Sequence, residues 1–177
     1  MKWFNNVRTS YHLYGVQSYN NLDRVSKFDT AFLLLNKVCP KGWASRGKSC
    51  YLVIDIRVSK WSDARRTCQN LGGDLAVIKS ADENKFIFDL VKKQKTVTTC
   101  GVWLGLNRKA DNKFYWVDGT PEAGQYSAWA SGEPNSVSEK CGHMYGTGSR
   151  QGKWNDLPCQ ISYSSHTPVV LCQKKAN

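Results

Sequence analysis

The chain lacks any long hydrophobic run. No apolar stretch approaches the ~18 residues that a membrane-spanning helix needs. The longest one near the start, Ala31–Leu35, also falls short of the ~7–15-residue core of a signal peptide. No Cys-x-x-Cys pair occurs, and no histidine stands at a zinc-ligand spacing from a cysteine pair, which speaks against a structural zinc site. Acidic residues are scarce: 14 Asp and Glu face 25 Lys and Arg, for a net charge of +11. That balance admits nucleic acid, anionic glycans or membrane surfaces as partners without choosing among them. No nucleic-acid recognition pattern accompanies the charge, so no nucleic-acid partner is expected. His12, His143 and His166 have no catalytic partner pattern and read as surface or loop residues. No Gly-rich nucleophile turn surrounds Cys100, so a Cys-His hydrolase is not expected either.

What is present suits a folded domain. Of 177 residues, 41% are hydrophobic and 12% aromatic, which rules out wholesale disorder and supplies a core. Seven cysteines stand at positions 39, 50, 68, 100, 141, 159 and 172. Scattered cysteines without a metal pattern read as disulfides, hence an oxidising, extracellular compartment. An odd number leaves at least one thiol over. Residues 1–38 carry no cysteine and no motif; a short helix near Ser26–Lys37, disorder and an unusual leader are all compatible with them. Their net charge is +3, leaving +8 for the remainder, so the basic charge is spread rather than gathered in an arm. Disulfides ask for export, and no clear export signal is visible.

From Cys39 to Asn177 the pattern sharpens into an α+β domain. Tyr51–Ile54 is a β-rich run. A helix is predicted to open at Ser59-Lys60-Trp61 with Ser59 as N-cap, to bury Trp61, Ala64, Cys68 and Leu71, and to end at Gly72-Gly73. A second helix begins at Ser80-Ala81-Asp82-Glu83, a capping box, and buries Phe86, Ile87, Leu90 and Val91. After Cys100 come short strands, Val102–Leu106 and Phe114–Val117, a tight Asp118-Gly119 turn, and a long polar stretch from Thr120 to Ser138. Trp154 and Val169–Cys172 read as the last strands. Trp103, Trp116 and Trp154 are core candidates, and Trp129 is expected to pack rather than to serve as a sugar platform.

The ordered series Cys39, Cys50, Cys68, Trp103-Leu104-Gly105-Leu106, Glu133-Pro134-Asn135, Cys141, Trp154-Asn155-Asp156, Cys159 and Cys172 resembles a C-type lectin domain over about residues 39–174. The resemblance implies a double-loop α+β fold, stapled by disulfides, with two helices flanking small antiparallel sheets. It also implies the pairs Cys39–Cys50, Cys68–Cys172 and Cys141–Cys159, which leaves Cys100 either as a buried thiol or as a bridge to a second chain in a homo-oligomer. The Cys68–Cys172 bridge closes the longest loop and should stabilise by up to about 4–5 kcal/mol in the ideal entropy model. A cis Glu133–Pro134 bond is implied as well.

The same resemblance implies a calcium site. Glu133, Asn135, Glu139, Asn155 and Asp156 offer five side-chain oxygen donors from two loops, the chemistry that a hard cation taking about 6–8 oxygens requires. Three carboxylates around Ca²⁺ would leave the site at −1. Two neighbouring sugar hydroxyls would complete it, each giving a lone pair to the metal while exchanging hydrogen bonds with a carboxylate and an amide. The order Glu-Pro-Asn goes with equatorial 3- and 4-hydroxyls, as in mannose, N-acetylglucosamine, glucose and fucose-like ligands. The expected function is therefore a calcium-dependent lectin for such glycans, losing its ligand on chelation or in mild acid.

Departures from the family pattern carry weight too. Ser136 and Lys140 stand where many relatives place ligands for an auxiliary calcium, and Asn107 and Asp111 are weak replacements. One calcium site is therefore expected and no auxiliary one. The competing reading is a domain of the same fold that binds a protein, a mineral or an anionic surface without sugar activity. An enzyme is not expected: Glu133 and Glu139 could be cast as a glycosidase pair, but a metal would hold both ionised and deny the general-acid role.

Overall fold

The computed structural model describes residues 39–97 and 99–177. The expectations for residues 1–38 lie outside that range. Eight strands link in the order β1-β2-β8-β4-β6-β7, with β3 beside β8 and β5 beside β4. They are β1 (Ala44–Arg46), β2 (Ser49–Arg57), β3 (Asp74–Leu75), β4 (Val102–Arg108), β5 (Phe114–Trp116), β6 (Cys141–Met144), β7 (Trp154–Leu157) and β8 (Val169–Lys175). All pairings are antiparallel except β4 with β8, which run parallel through Val102–Val169 and Trp103–Val170. The small sheets expected from the sequence thus join through one parallel seam.

Strand alternation divides the core between two faces. Val102, Leu104 and Leu106 of β4, with Val169 and Leu171 of β8, meet Ile87 and Val91 of helix α2 (Ala81–Val91). Trp103, Val170 and Cys172 point the other way, onto Trp61, Ala64 and Cys68 of helix α1 (Trp61–Asn70). The central strands are buried on both sides, which is why they read as nearly unbroken apolar runs. Trp103, Trp116 and Trp154 are almost fully buried, and Trp129 packs on their edge.

The helix ends show where local rules hold and where they yield. The α1 C-terminus closes as a Schellman turn: Gly73 N–H donates to Cys68 O, and Gly72 N–H to Gln69 O, with Gly72 at φ +75°. Its N-cap is Lys60, not Ser59, and no side chain caps it. Trp61 N–H instead donates to Cys159 O, and Ile161 N–H to Ser59 O, so a tertiary bridge sets the start of the helix. Leu71 lies past the buried stripe, at the C-cap, and is exposed. At α2, Ser80 accepts from Glu83 N–H as the capping box requires, but the Glu83 carboxylate takes Lys79 N–H and Tyr51 O–H.

Bridges join Cys39 to Cys50, Cys68 to Cys172 and Cys141 to Cys159. Cys100 remains a half-buried thiol.

Candidate functional site

Trp154 brings the two halves of the site together. Its indole is buried and donates to Asn84 Oδ1 at 2.8 Å. Its main chain donates to Ala128 O and accepts from Ala130 N–H, which lays the long polar stretch alongside β7. Glu133 N–H then turns back onto Ala130 O, and the Glu133–Pro134 peptide is cis. From the other side, the Cys141–Cys159 bridge ties the start of β6 to the segment after β7, so Glu139, two residues before Cys141, is delivered to the same place.

The five residues singled out in the sequence converge, at graded depth. Asn155 and Asp156 form a buried floor on β7, Glu133 and Glu139 are half-buried walls, and Asn135 stands exposed at the rim. Asp156 accepts Asn135 N–H at 3.2 Å and Ser136 N–H at 3.4 Å, which fastens the loop to the floor. Burial, and then the nearby charges of Asp156 and Glu133, raise the Glu139 pKa above the usual carboxylate range. Two oxygens here are buried and unpartnered, Glu133 Oε2 and Asn155 Oδ1. Buried acceptors are nearly always satisfied, so each of these two orphaned oxygens calls for a cation or a donor that the protein itself does not supply.

Three residues that the sequence reading missed shape this place. Arg108, at the end of β4, donates from Nη2 to Asp156 Oδ2 at 3.1 Å, and its side chain is only 9% exposed. Arg150, exposed above the site, donates from Nη1 to Glu133 Oε1 at 3.1 Å. His143 is wholly buried in β6 and is not the surface residue expected. Its Nδ1–H donates to Cys100 O at 2.9 Å, which leaves Nε2 to accept from Asn155 Nδ2 at 3.2 Å. Burial holds this ring down at a pKa of about 4. No local pattern flags the two arginines, which stand in polar stretches like the chain's other basic residues.

The arginines revise the electrostatics. Three carboxylates and two guanidiniums sum to −1 before any metal enters, so Ca²⁺ would leave the cluster at +1 and not at −1. Among the described residues, no three His, Cys, Asp or Glu side chains stand close enough to hold a metal alone. The Asn135 and Asn155 amide oxygens would have to complete the set. Asn107 and Asp111 are committed elsewhere: Asn107 Nδ2 donates to Lys140 O, and Asp111 accepts from Tyr115 O–H and Lys113 N–H. Two clefts, of about 520 and 860 Å³, are lined by none of the five residues.

Comparison with known proteins agrees with this architecture. The Lectin C-type domain family matches residues 57–173. Human C-type lectin domain family 4 member C is 32% identical over 138 residues, covering 77% of this chain and 60% of that protein. The chain thus spans well under two thirds of that relative's length. The C-type lectin domain of murine dendritic cell inhibitory receptor 2, solved in complex with N-glycan, superposes with a TM-score of 0.66 at 28% identity, over 78% of this chain and 99% of that one. A calcium-independent type II antifreeze protein superposes with a TM-score of 0.63 at 33% identity, over 79% of this chain and 96% of that one. With the double-sided sheet, the three bridges and the Trp-Asn-Asp strand in place, the chain belongs to the C-type lectin domain family.

Proposed function

We propose that this domain binds mannose-type glycans through one Ca²⁺ held by Glu133, Asn135, Glu139, Asn155 and Asp156. The observation that carries the reading is the pair of buried, unpartnered oxygens, Glu133 Oε2 and Asn155 Oδ1, beside three carboxylates. Bound calcium supplies a Lewis-acidic centre for two adjacent hydroxyls. The protein supplies their hydrogen bonds: Glu133 and Glu139 accept from the hydroxyl protons, while the exposed Asn135 amide donates to a hydroxyl oxygen. Equatorial 3- and 4-hydroxyls match the Glu-Pro-Asn order. The three disulfides support an extracellular setting. A single site of this kind binds weakly, and clustering of several copies raises avidity.

The domain is a binding module and not an enzyme, as its family is. A second reading has its own support: two of the three carboxylates already carry an arginine, and a structural relative is described as calcium-independent. On that reading the same face contacts a protein, a mineral or an anionic surface without sugar.

Mannose-agarose separates the two. Retention at millimolar Ca²⁺, released by EDTA and by free mannose but poorly by galactose, is the expected outcome. No retention under those conditions would overturn the glycan reading and favour the second.

A further inference from the structure

The guanidinium of Arg108 spends four of its five N–H donors inside the protein. Nε donates to Glu139 O at 3.2 Å, Nη1 to Asn112 O at 3.2 Å, and Nη2 both to Ser136 O at 3.2 Å and to Asp156 Oδ2 at 3.1 Å. Its plane rests on the Phe114 ring, 4.4 Å from the centroid. The Arg108 main chain joins in, with N–H donating to Lys140 O at 2.7 Å. One side chain therefore ties the strand β4 to the turn before β5, to the floor carboxylate on β7, and to both ends of the segment Ser136–Glu139.

Those acceptors are main-chain carbonyls and a carboxylate, the oxygen types that gather around a hard cation. Here a planar, permanently charged group takes that position through fixed, charge-assisted bonds. Nothing of this depends on a solute. The side chain is nearly sealed from water, so screening does little to it.

We propose that Arg108 is a built-in cation that holds the loop from Glu133 to Lys140 in its binding shape without any metal. The calcium-ligand assignment of the proposed function sets what the loop is held ready for, but the bracing itself does not rest on it. Arg108 is a positioning residue: it orients Asp156 and fixes Glu139 through its carbonyl, and it touches no ligand. Loop order and metal binding are thereby uncoupled, and a metal finds the site already formed.

The Glu139–Lys140 peptide reports on this directly, because the carbonyl that a glutamate-specific protease attacks is the one Arg108 holds. In EDTA, cleavage after Glu139 in the full chain, followed by mass spectrometry, should be slow and within about twofold of the rate in Ca²⁺, since proteolysis tracks the local opening equilibrium. Arg108→Ala should be cut at least about tenfold faster in EDTA, as charge-assisted bonds are lost. Free guanidinium ion at a non-denaturing concentration should slow the cleavage again, whereas sodium at equal ionic strength should not. A purely space-filling role for the side chain would not produce that rescue. Should Arg108→Ala fail to fold, hydrogen exchange of the wild-type amides from Asn135 to Lys140 in EDTA carries the test alone. Opening of the wild-type loop on chelation, an Arg108→Ala loop as resistant as wild type, or rescue by sodium as good as by guanidinium would overturn the proposal. The Arg108→Ala, guanidinium and sodium comparisons are all made in EDTA, so failure of the glycan reading on mannose-agarose leaves them standing.

Discussion

His143 Nε2 accepts a hydrogen bond from Asn155 Nδ2 at 3.2 Å, and so decides which end of the Asn155 amide faces the site. The ring can accept because its other nitrogen donates to Cys100 O. Asn155 Nδ2 also donates to Asp156 O at 2.7 Å, so both amide hydrogens are spent inside the protein. The carbonyl Oδ1 is left buried and without a partner.

Replacing His143 by Leu removes that acceptor from a buried amide. The expected loss is about 1–3 kcal/mol, the penalty for an unsatisfied buried group, read from urea unfolding. Calcium affinity measured by calorimetry should fall as well, because the amide is no longer held with Oδ1 outward. Unchanged stability and affinity would mean that Asn155 keeps its orientation without the ring.

Asp156→Ala leaves the Arg108 guanidinium nearly buried without its carboxylate partner. Breaking a buried pair from one side costs about 3–5 kcal/mol. The loss should already appear in EDTA, since Arg108 and Asp156 meet without metal, and calcium should widen it by the binding stabilisation that only the wild type gains. A decrease confined to calcium-containing buffer would assign Asp156 a purely metal-dependent role.

Arg150→Ala should act in the opposite direction on metal binding. Arg150 is half-exposed and occupies Glu133 Oε1 when no cation is there. The Glu133 side chain is only 5% exposed while its partner stands half in water; such a pair sits at the upper end of the range for surface pairs, about 1 kcal/mol, so titration calorimetry should show Ca²⁺ affinity rising about fivefold. Weaker binding in this variant would show that Arg150 supports the site and does not compete for it.

Cys100 should alkylate slowly. Burial raises its thiol pKa above the ordinary value, and a half-buried thiol held mainly protonated near neutral pH is a poor nucleophile. Iodoacetamide labelling of the native protein at pH 7.5 should lag well behind a free cysteine control and accelerate as the pH rises beyond 9. Labelling at the control rate at pH 7.5 would reveal an exposed thiolate, the form suited to bridging a second chain.

Much of the fold was legible because it rests on local rules and on the order of landmarks. Gly72-Gly73 ends α1 since only residues free of a Cβ clash close that turn easily, and the nearly unbroken apolar run Val102–Leu106 marks a strand covered on both faces. The helix start at Lys60 was not legible, because Trp61 N–H is satisfied by Cys159 O and Lys60 bridges to Gln160, about a hundred residues away. His143 read as a loop histidine for the same reason: nothing in its neighbours along the chain announces that Cys100 O and Asn155 will enclose it.

Composition, cysteine spacing and the ordered motifs determined by themselves that this is a disulfide-stapled α+β domain of one family, with five oxygen-bearing side chains in two segments, one of which, Asn155-Asp156, proved to be strand and not loop. Those features are carried by residue type and order, which a sequence records directly. Only the tertiary structure decided the charge and the readiness of the site. Arg108 reaches Asp156 across 48 residues, and Arg150 reaches Glu133 across 17. Which cation meets which carboxylate depends on where distant strands bring their ends, and the sign of the site's field follows from that meeting alone.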